Sequence, residues 1–192
     1  MAIGAILVAL VQFSSPRPVA AQSGNDPELV SRQALLLTKA LTYDSRLLSR
    51  AGAQVTVAVL FKPGVAASKR EAETWYGRFA SLQGLRFLGL PFAAMLVPFG
   101  PAAETRAFLR ENGVDAVMVC GGFDEDLPTL IKMTHDLKII SLASTPDQVS
   151  KGLSLGVFII EGKNTLLFNL GATRNEGALF TSDILKLAKV IK

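Results

Sequence analysis

Cys120 and His135 are the single cysteine and the single histidine of the chain, and together they could supply a thiolate–imidazole nucleophile. Cys120 closes the apolar run VMVC, just ahead of Gly121-Gly122. That setting favours a small buried hydrophobe over a reactive thiol, which needs an electropositive, partly exposed site. His135 falls near the end of a helical stretch, where a partly charged imidazole suits the carbonyl end. No G-x-S-x-G elbow accompanies the pair, and one His with one Cys cannot build a centre of several such ligands. The reading is of a non-enzyme, with no catalytic residue, metal or cofactor.

Gly121-Gly122 is the candidate ligand-binding site. It follows an apolar strand and precedes a helix, the place at the carboxyl edge of an open α/β sheet where ligands dock. Asp124-Glu125-Asp126 comes next; these acids would satisfy the positive start of that helix and repel an anion. Three consecutive carboxylates cannot converge on one ion as spaced loop ligands do, so they are expected to cap the helix. A phosphate loop over residues 156–163 is rejected, because five residues separate Gly156 from Gly162 where four are needed.

The elements that must position these groups follow from periodicity. Pro27 and Glu28 suit a first helical turn behind an Asp26 cap, and Val30, Ala34, Leu37 and Leu41 repeat at helical spacing up to Tyr43-Asp44. Residues 54–61 are apolar on both faces, as in a strand covered on both sides. Ser68-Lys69-Arg70-Glu71 has the form of a capping box, opening a helix with Ala72, Trp75, Phe79 and Leu82 on one stripe. Residues 85–90 and 93–97 are two short strand candidates broken by Pro91. Buried strands are expected over 114–120 and 139–143, each preceded by a helix, with a short helix over 145–151. Residues 155–160 and 165–170 then form a hairpin around Glu161-Gly162-Lys163-Asn164. A loop over 173–177 leads to a last helix carrying Ile184, Leu187, Ala188 and Ile191 on one stripe. The expected fold is α/β: a Rossmann-like, mainly parallel sheet flanked by helices, ending in an antiparallel hairpin and a closing helix.

Composition bounds the function. The 192 residues are 49% hydrophobic and 19% charged, a folded chain with room for one domain. The formal charge is +4, yet no basic run exceeds Lys69-Arg70, so there is no stripe to track phosphates and nucleic acid is excluded as a partner. Residues 3–13 are apolar but too short to span a bilayer, and Val19-Ala20-Ala21 offers small residues for cleavage near Ala21. The expected organisation is a signal peptide over 1–21, a linker over 22–26, and one α/β domain over 27–192 in the periplasm. Nothing positive precedes Ile3, so the expectation includes either a start upstream or a weak signal.

The stretch IISLASTPDQVSKGLSLGVFIIEGKNTLLFNLGATRNEGALFTSDILKLAKVI resembles the YfiR-type family of periplasmic regulators. The likeness rests on the hairpin from Val157 to Phe168 with Asn169, on Ala172-Thr173-Arg174, and on Ser182 ahead of Leu185-Lys186-Leu187-Ala188. LLLTKALTYD and VTVAVLF also sit where that family places its first helix and strand. The resemblance implies an exported, non-enzymatic protein that dimerises and binds a membrane signalling protein such as a diguanylate cyclase, lowering cyclic-di-GMP output. It makes Tyr43, Asp44, Thr173 and Arg174 the candidate partner-binding residues. The chain departs from the family in lacking its several cysteines and in carrying Tyr43-Asp44 at the end of the first helix. The alternative is a single-lobe periplasmic small-molecule-binding protein, since VAVLFKPG followed by a helix resembles the opening of a solute-receptor lobe.

Overall fold

Strand β1 (Val55–Phe61) is buried along all but its last residue, so helices must cover both faces of its sheet. Val55, Val57 and Val59 point to one face and Ala58 and Leu60 to the other, the period of two that a pleated strand imposes. The computed structural model describes residues 27–191; the expected signal peptide, linker and Asp26 cap lie outside them. One face carries α1 (Pro27–Leu41) and α3 (Ala66–Ala80), whose Leu37, Leu41, Trp75 and Phe79 form a core with the odd-numbered residues of β1. The other face carries α4 (Ala102–Glu111) and α5 (Leu127–Leu137), with Leu109, Leu130 and Met133 in the second core.

The remaining strands are β2 (Arg86–Phe87), β3 (Leu90–Pro98), β4 (Ala116–Val119), β5 (Ile140–Ala143), β6 (Leu155–Ile160), β7 (Lys163–Asn169) and β8 (Lys189–Ile191). They form one eight-stranded sheet in the order β2-β3-β1-β4-β5-β6-β7-β8. The five strands from β3 to β6 are parallel, and β6 and β7 form the antiparallel hairpin. This is the expected α/β architecture. The middle of the chain resolves into one long strand with Pro91 inside it. Pro91 lies opposite Arg86 of the two-residue β2, close to the sheet edge where a missing donor is tolerated.

Four local expectations differ from the structure. The helix α3 starts at Ala66, with Val65 rather than Ser68 at its N-cap. Both residues of the supposed capping box have other partners: Ser68 Oγ accepts from the Lys62 N–H at 3.0 Å, and a Glu71 oxygen accepts from the Gly121 N–H at 2.7 Å. The acidic trio does not cap α5 either. Asp126 occupies the N-cap position in helical backbone without a side-chain cap bond, and its carboxylate pairs with Lys62. The expected loop 173–177 begins in helix α7 (Leu170–Asn175), capped by Asn169, whose Oδ1 accepts from Ala172 N–H.

The last difference is at the carboxyl end. Helix α8 (Ser182–Lys186) stops after five residues, and β8 pairs in parallel with β7. Continuing the helix would leave that side of β7 unpaired, and buried or half-buried ladder groups need partners. Leu187 is consequently not on a buried stripe but 77% exposed. The chain also holds α2 (Leu47–Arg50) and α6 (Pro146–Ser150), the first of which has too few residues to show a period. Among the described residues no helix is long and apolar enough to cross a membrane.

Candidate functional site

From β1 the chain passes to β3 on one side and then returns to β4 on the other. The carboxyl ends of β1 and β4 therefore flank the topological switch point, where open α/β sheets place ligands. Gly121 and Gly122 stand there, as the sequence predicts. The crevice between the two loops is closed by the chain itself. Lys62 Nζ pairs with Asp126 at 2.8 Å, a contact that holds the ammonium above the ordinary lysine value. Glu71 takes the Gly121 N–H. Gly122 has φ of +86°, and a Cβ on it would lie 3.4 Å from Val65 and 3.6 Å from Ser68. Glycine is thus required for backbone shape and for close approach to the β1–α3 loop.

The open space lies one strand further on, outside the carboxyl ends of β4 and β5. It is a cleft of about 290 Å³ floored by Phe123 and Leu127 and rimmed by Gly121, Gly122, Asp124, Thr145, Asp147 and Gln148. Helix α6 forms one wall. Its start is a capping box, in which the Thr145 hydroxyl accepts from Gln148 N–H while Gln148 Oε1 accepts from the backbone N–H of Thr145. Gln148 Oε1 also takes the Ser144 N–H at 2.9 Å, and its Nε2 donates to Cys120 O at 3.0 Å. One buried amide thereby locks the β4 and β5 loops together. Across the rim, Lys151 bridges Asp147 at 2.7 Å and Asp124 at 3.3 Å. Both contacts, Asp147 first, raise the lysine's affinity for its proton. Such a cleft can cover the apolar part of a small ligand and accept hydrogen bonds from its polar part.

Cys120 and His135 do not meet. Cys120 follows β4 at the carboxyl edge, is fully buried, and has its thiol pushed well up by burial and by Glu71. Helix α5 runs back from that edge, and His135, eight residues into it, sits about 12 Å along the axis at the amino edge. Burial and the nearby Lys138 hold its imidazole below the usual value against the pull of Asp136. Among the described residues no three His, Cys, Asp or Glu side chains converge as metal ligands would.

The four candidate partner residues divide. Tyr43 is 39% exposed and Arg174 lies at the surface, whereas Thr173 and Asp44 are buried. Asp44 is a clasp. It pairs with Arg50 at 2.5 Å, accepts from Leu179 N–H at 2.7 Å and Arg46 N–H at 3.1 Å, and bridges to Phe180. Sequence reasoning missed Lys62 and Glu71, which close the switch point, and Gln148, which lines the cleft. Only Gln148 left a signal, in the Thr145-Pro146-Asp147-Gln148 capping pattern.

No family model matches this sequence, and neither does any curated protein. Solved structures do match in fold. A substrate-binding protein with adhesive properties from Clostridium difficile, in its ligand-free open form, is similar with TM-score 0.57 and 14% identity over 77% of this chain. A conserved domain protein from Vibrio cholerae O1 biovar eltor is similar at TM-score 0.58 and 14% identity over 85% of this chain. An ABC domain in complex with L-Trp from Streptococcus pneumonia follows at 0.56, 16% and 84%. The chain spans 57–60% of the length of these neighbours, and what it shares with them is the fold.

Proposed function

We propose that this chain is an exported small-molecule-binding protein that holds its ligand without chemistry in the cleft beside Gly121 and Gly122. The observation that carries the reading is that cleft, about 290 Å³ at the carboxyl ends of β4 and β5, where α/β folds bind ligands. The likeness in fold to a substrate-binding protein supports it. The ligand is small, because the volume lies at the lower limit of the roughly 300–1,000 Å³ of drug-sized sites. The acidic rim of Asp124 and Asp147 favours a neutral or zwitterionic compound with a donor group over an anion. A thermal-shift screen of the mature chain against small metabolites tests this. The expected result is saturable stabilisation by a compound whose affinity falls in Asp147→Lys, which changes the rim and no buried contact. A screen without any saturable stabiliser overturns the reading.

A second reading, as a periplasmic regulator of the YfiR type, is favoured by the surface beside the Asp44 clasp. Tyr43, Leu48 and Leu179 are exposed there, the last two by 52% and 53%, and exposed apolar groups gathered together mark protein contacts. In this reading the chain acts as a dimer and seats the external part of a membrane signalling protein, such as a diguanylate cyclase, over Tyr43 and Arg174. Cross-linking in the native envelope from a photoreactive group at Leu179 is expected to capture one membrane protein. Capture of none counts against it.

A further inference from the structure

A second cavity, sharing no lining residue with the Gly121–Gly122 cleft, lies between α1, the β6–β7 hairpin and α8. Its volume is about 260 Å³, and Leu36 and Ala40 of α1, with Tyr43 in the turn just after it, face Leu166 of β7 and Leu187 after α8 across it. Leu36 and Ala40 stand at i and i+4 on one stripe of α1, and Tyr43 extends that line past the end of the helix. The neighbouring stripe, with Leu37 and Leu41, is consumed by the core. Ala40 is buried in that core too, but Leu36 and Tyr43 on either side of it are each 39% exposed, and Leu187 stands at the rim. An isolated exposed leucine is ordinary, but apolar groups gathered in a concave site mark a binding surface.

The polar groups of the lining decide what fits. They are Lys39, the amide of Asn164 and the Tyr43 hydroxyl, with no carboxylate among them. Lys39 has no acidic partner among the described residues, in contrast to Lys62, Lys69, Lys132 and Lys151, which are ion-paired. A single cation with two hydrogen-bonding groups over an apolar floor complements a compound with one anionic end and an apolar body. We infer that the groove between α1 and the β6–β7 hairpin is a binding site for a small amphipathic carboxylate. Its anionic end sits at Lys39 and Asn164, and its chain or ring on Leu36, Leu166 and Leu187. This ligand class is the opposite of the one suited to the acidic carboxyl-edge cleft, and the two sites stand independently.

Isothermal titration of the mature chain with octanoate, octanol and acetate separates the contributions of tail and head. Saturable binding of octanoate, weaker binding of octanol and none of acetate are expected. Lys39→Gln should weaken octanoate by up to about fivefold, the upper end for an exposed ion pair, and leave octanol unchanged, while Lys39→Arg restores it. Leu187→Asp, at a position that buries little, should abolish binding of both without altering the thermal transition. Asp147→Lys, in the other cleft, should leave octanoate untouched. No saturable octanoate binding, octanol binding as tight as octanoate, or octanoate binding unchanged in both Lys39→Gln and Leu187→Asp overturns the inference.

Discussion

The two edges of the sheet treat carboxylates in opposite ways. At the amino edge Asp44, Asp115 and Glu176 are buried to 5% exposure or less, and each holds backbone in place. Asp115 takes the Thr56 N–H at 2.8 Å, joining β4 to β1. Glu176 accepts from Thr134, from Ser141 through both N–H and hydroxyl, and from the Ser154 hydroxyl, tying α5, β5 and β6 to the end of α7. At the carboxyl edge Asp124, Glu125 and Asp147 stand in solvent, with side chains 78%, 93% and 64% exposed. Their lysine partners, Lys62 and Lys151, are 29% and 47% exposed, so water reaches these pairs and screens them. The amino edge is thus fastened by interactions that cannot change without loss of the fold, and the carboxyl edge by ones that can. A ligand site needs the second kind.

The largest test of this contrast is Asp44→Ala. It leaves Arg50 without its carboxylate and the Leu179 amide without its acceptor, and breaking a buried pair in this way costs about 3–5 kcal/mol. Chemical denaturation should show that loss. A variant within 1 kcal/mol of the parent would mean that water replaces the clasp and that the amino edge is not specially fastened.

Proton linkage gives the next effect. Burial pushes Glu176 up to about 7, against the bonds from Ser141, Ser154 and Thr134, and burial raises Asp115 to about 6. Both groups hold a proton more tightly when folded, so the folded chain binds more protons than the unfolded one between the two sets of values. Stability is therefore greatest below the unfolded carboxylate range and declines as pH rises toward 7. Glu176 alone carries about 3 kcal/mol of that decline. Unfolding measured from pH 4 to 8 should show the fall, and Glu176→Gln should flatten about half of it, with Asp115 carrying the rest. An unchanged slope in that variant would assign the linkage elsewhere.

The contrast also explains what was legible in the sequence. The parallel strands and their helices could be read because apolar periodicity reports burial directly, and β1 or α5 can bury nothing else. Long-range pairing could not. Ser68 and Glu71 have the spacing of a capping box, but Lys62 and Gly121 claim them once the β1 and β4 loops meet. Lys189-Val190-Ile191 continues a helical stripe on paper, and only the free edge of β7 makes it a strand. Gly121-Gly122 was legible as the turn that ends a buried strand at the carboxyl edge, because Gly122 needs a positive φ there. Asp44 and Glu176 were not, since nothing in a local pattern distinguishes a carboxylate that will be buried from one that will be solvated.

Gln148→Ala probes a buried polar group at the carboxyl edge. The Thr145 amide and the Cys120 carbonyl lose their Gln148 partner, while the Ser144 amide keeps only its longer bond to Val119 O at 3.3 Å, at a cost of about 1–3 kcal/mol for buried polar atoms left unmet. The cleft loses the strut between its two walls, so any ligand found there should bind more weakly in this variant, even at temperatures where the fold is intact. A stability loss with undiminished ligand affinity would place the binding groups elsewhere.

The smallest expected effect is the most telling for the comparison. Lys62→Ala removes the ion pair that closes the switch point, whose side chains are 29% and 31% exposed, and a partly exposed pair contributes about 1 kcal/mol or less because water and salt still screen it. The melting temperature in physiological salt should stay within the scatter of the parent. The crevice between the β1 and β4 loops should nevertheless open. Asp126 then faces solvent without its counter-ion, and hydrogen exchange at the Gly121 amide reports whether the Glu71 bond still holds that loop. Faster exchange there, with a parent-like melting curve, would mean that the carboxyl edge moves independently of the fold. A large loss of stability would instead make Lys62 as structural as Asp44, and the two edges would no longer differ in kind.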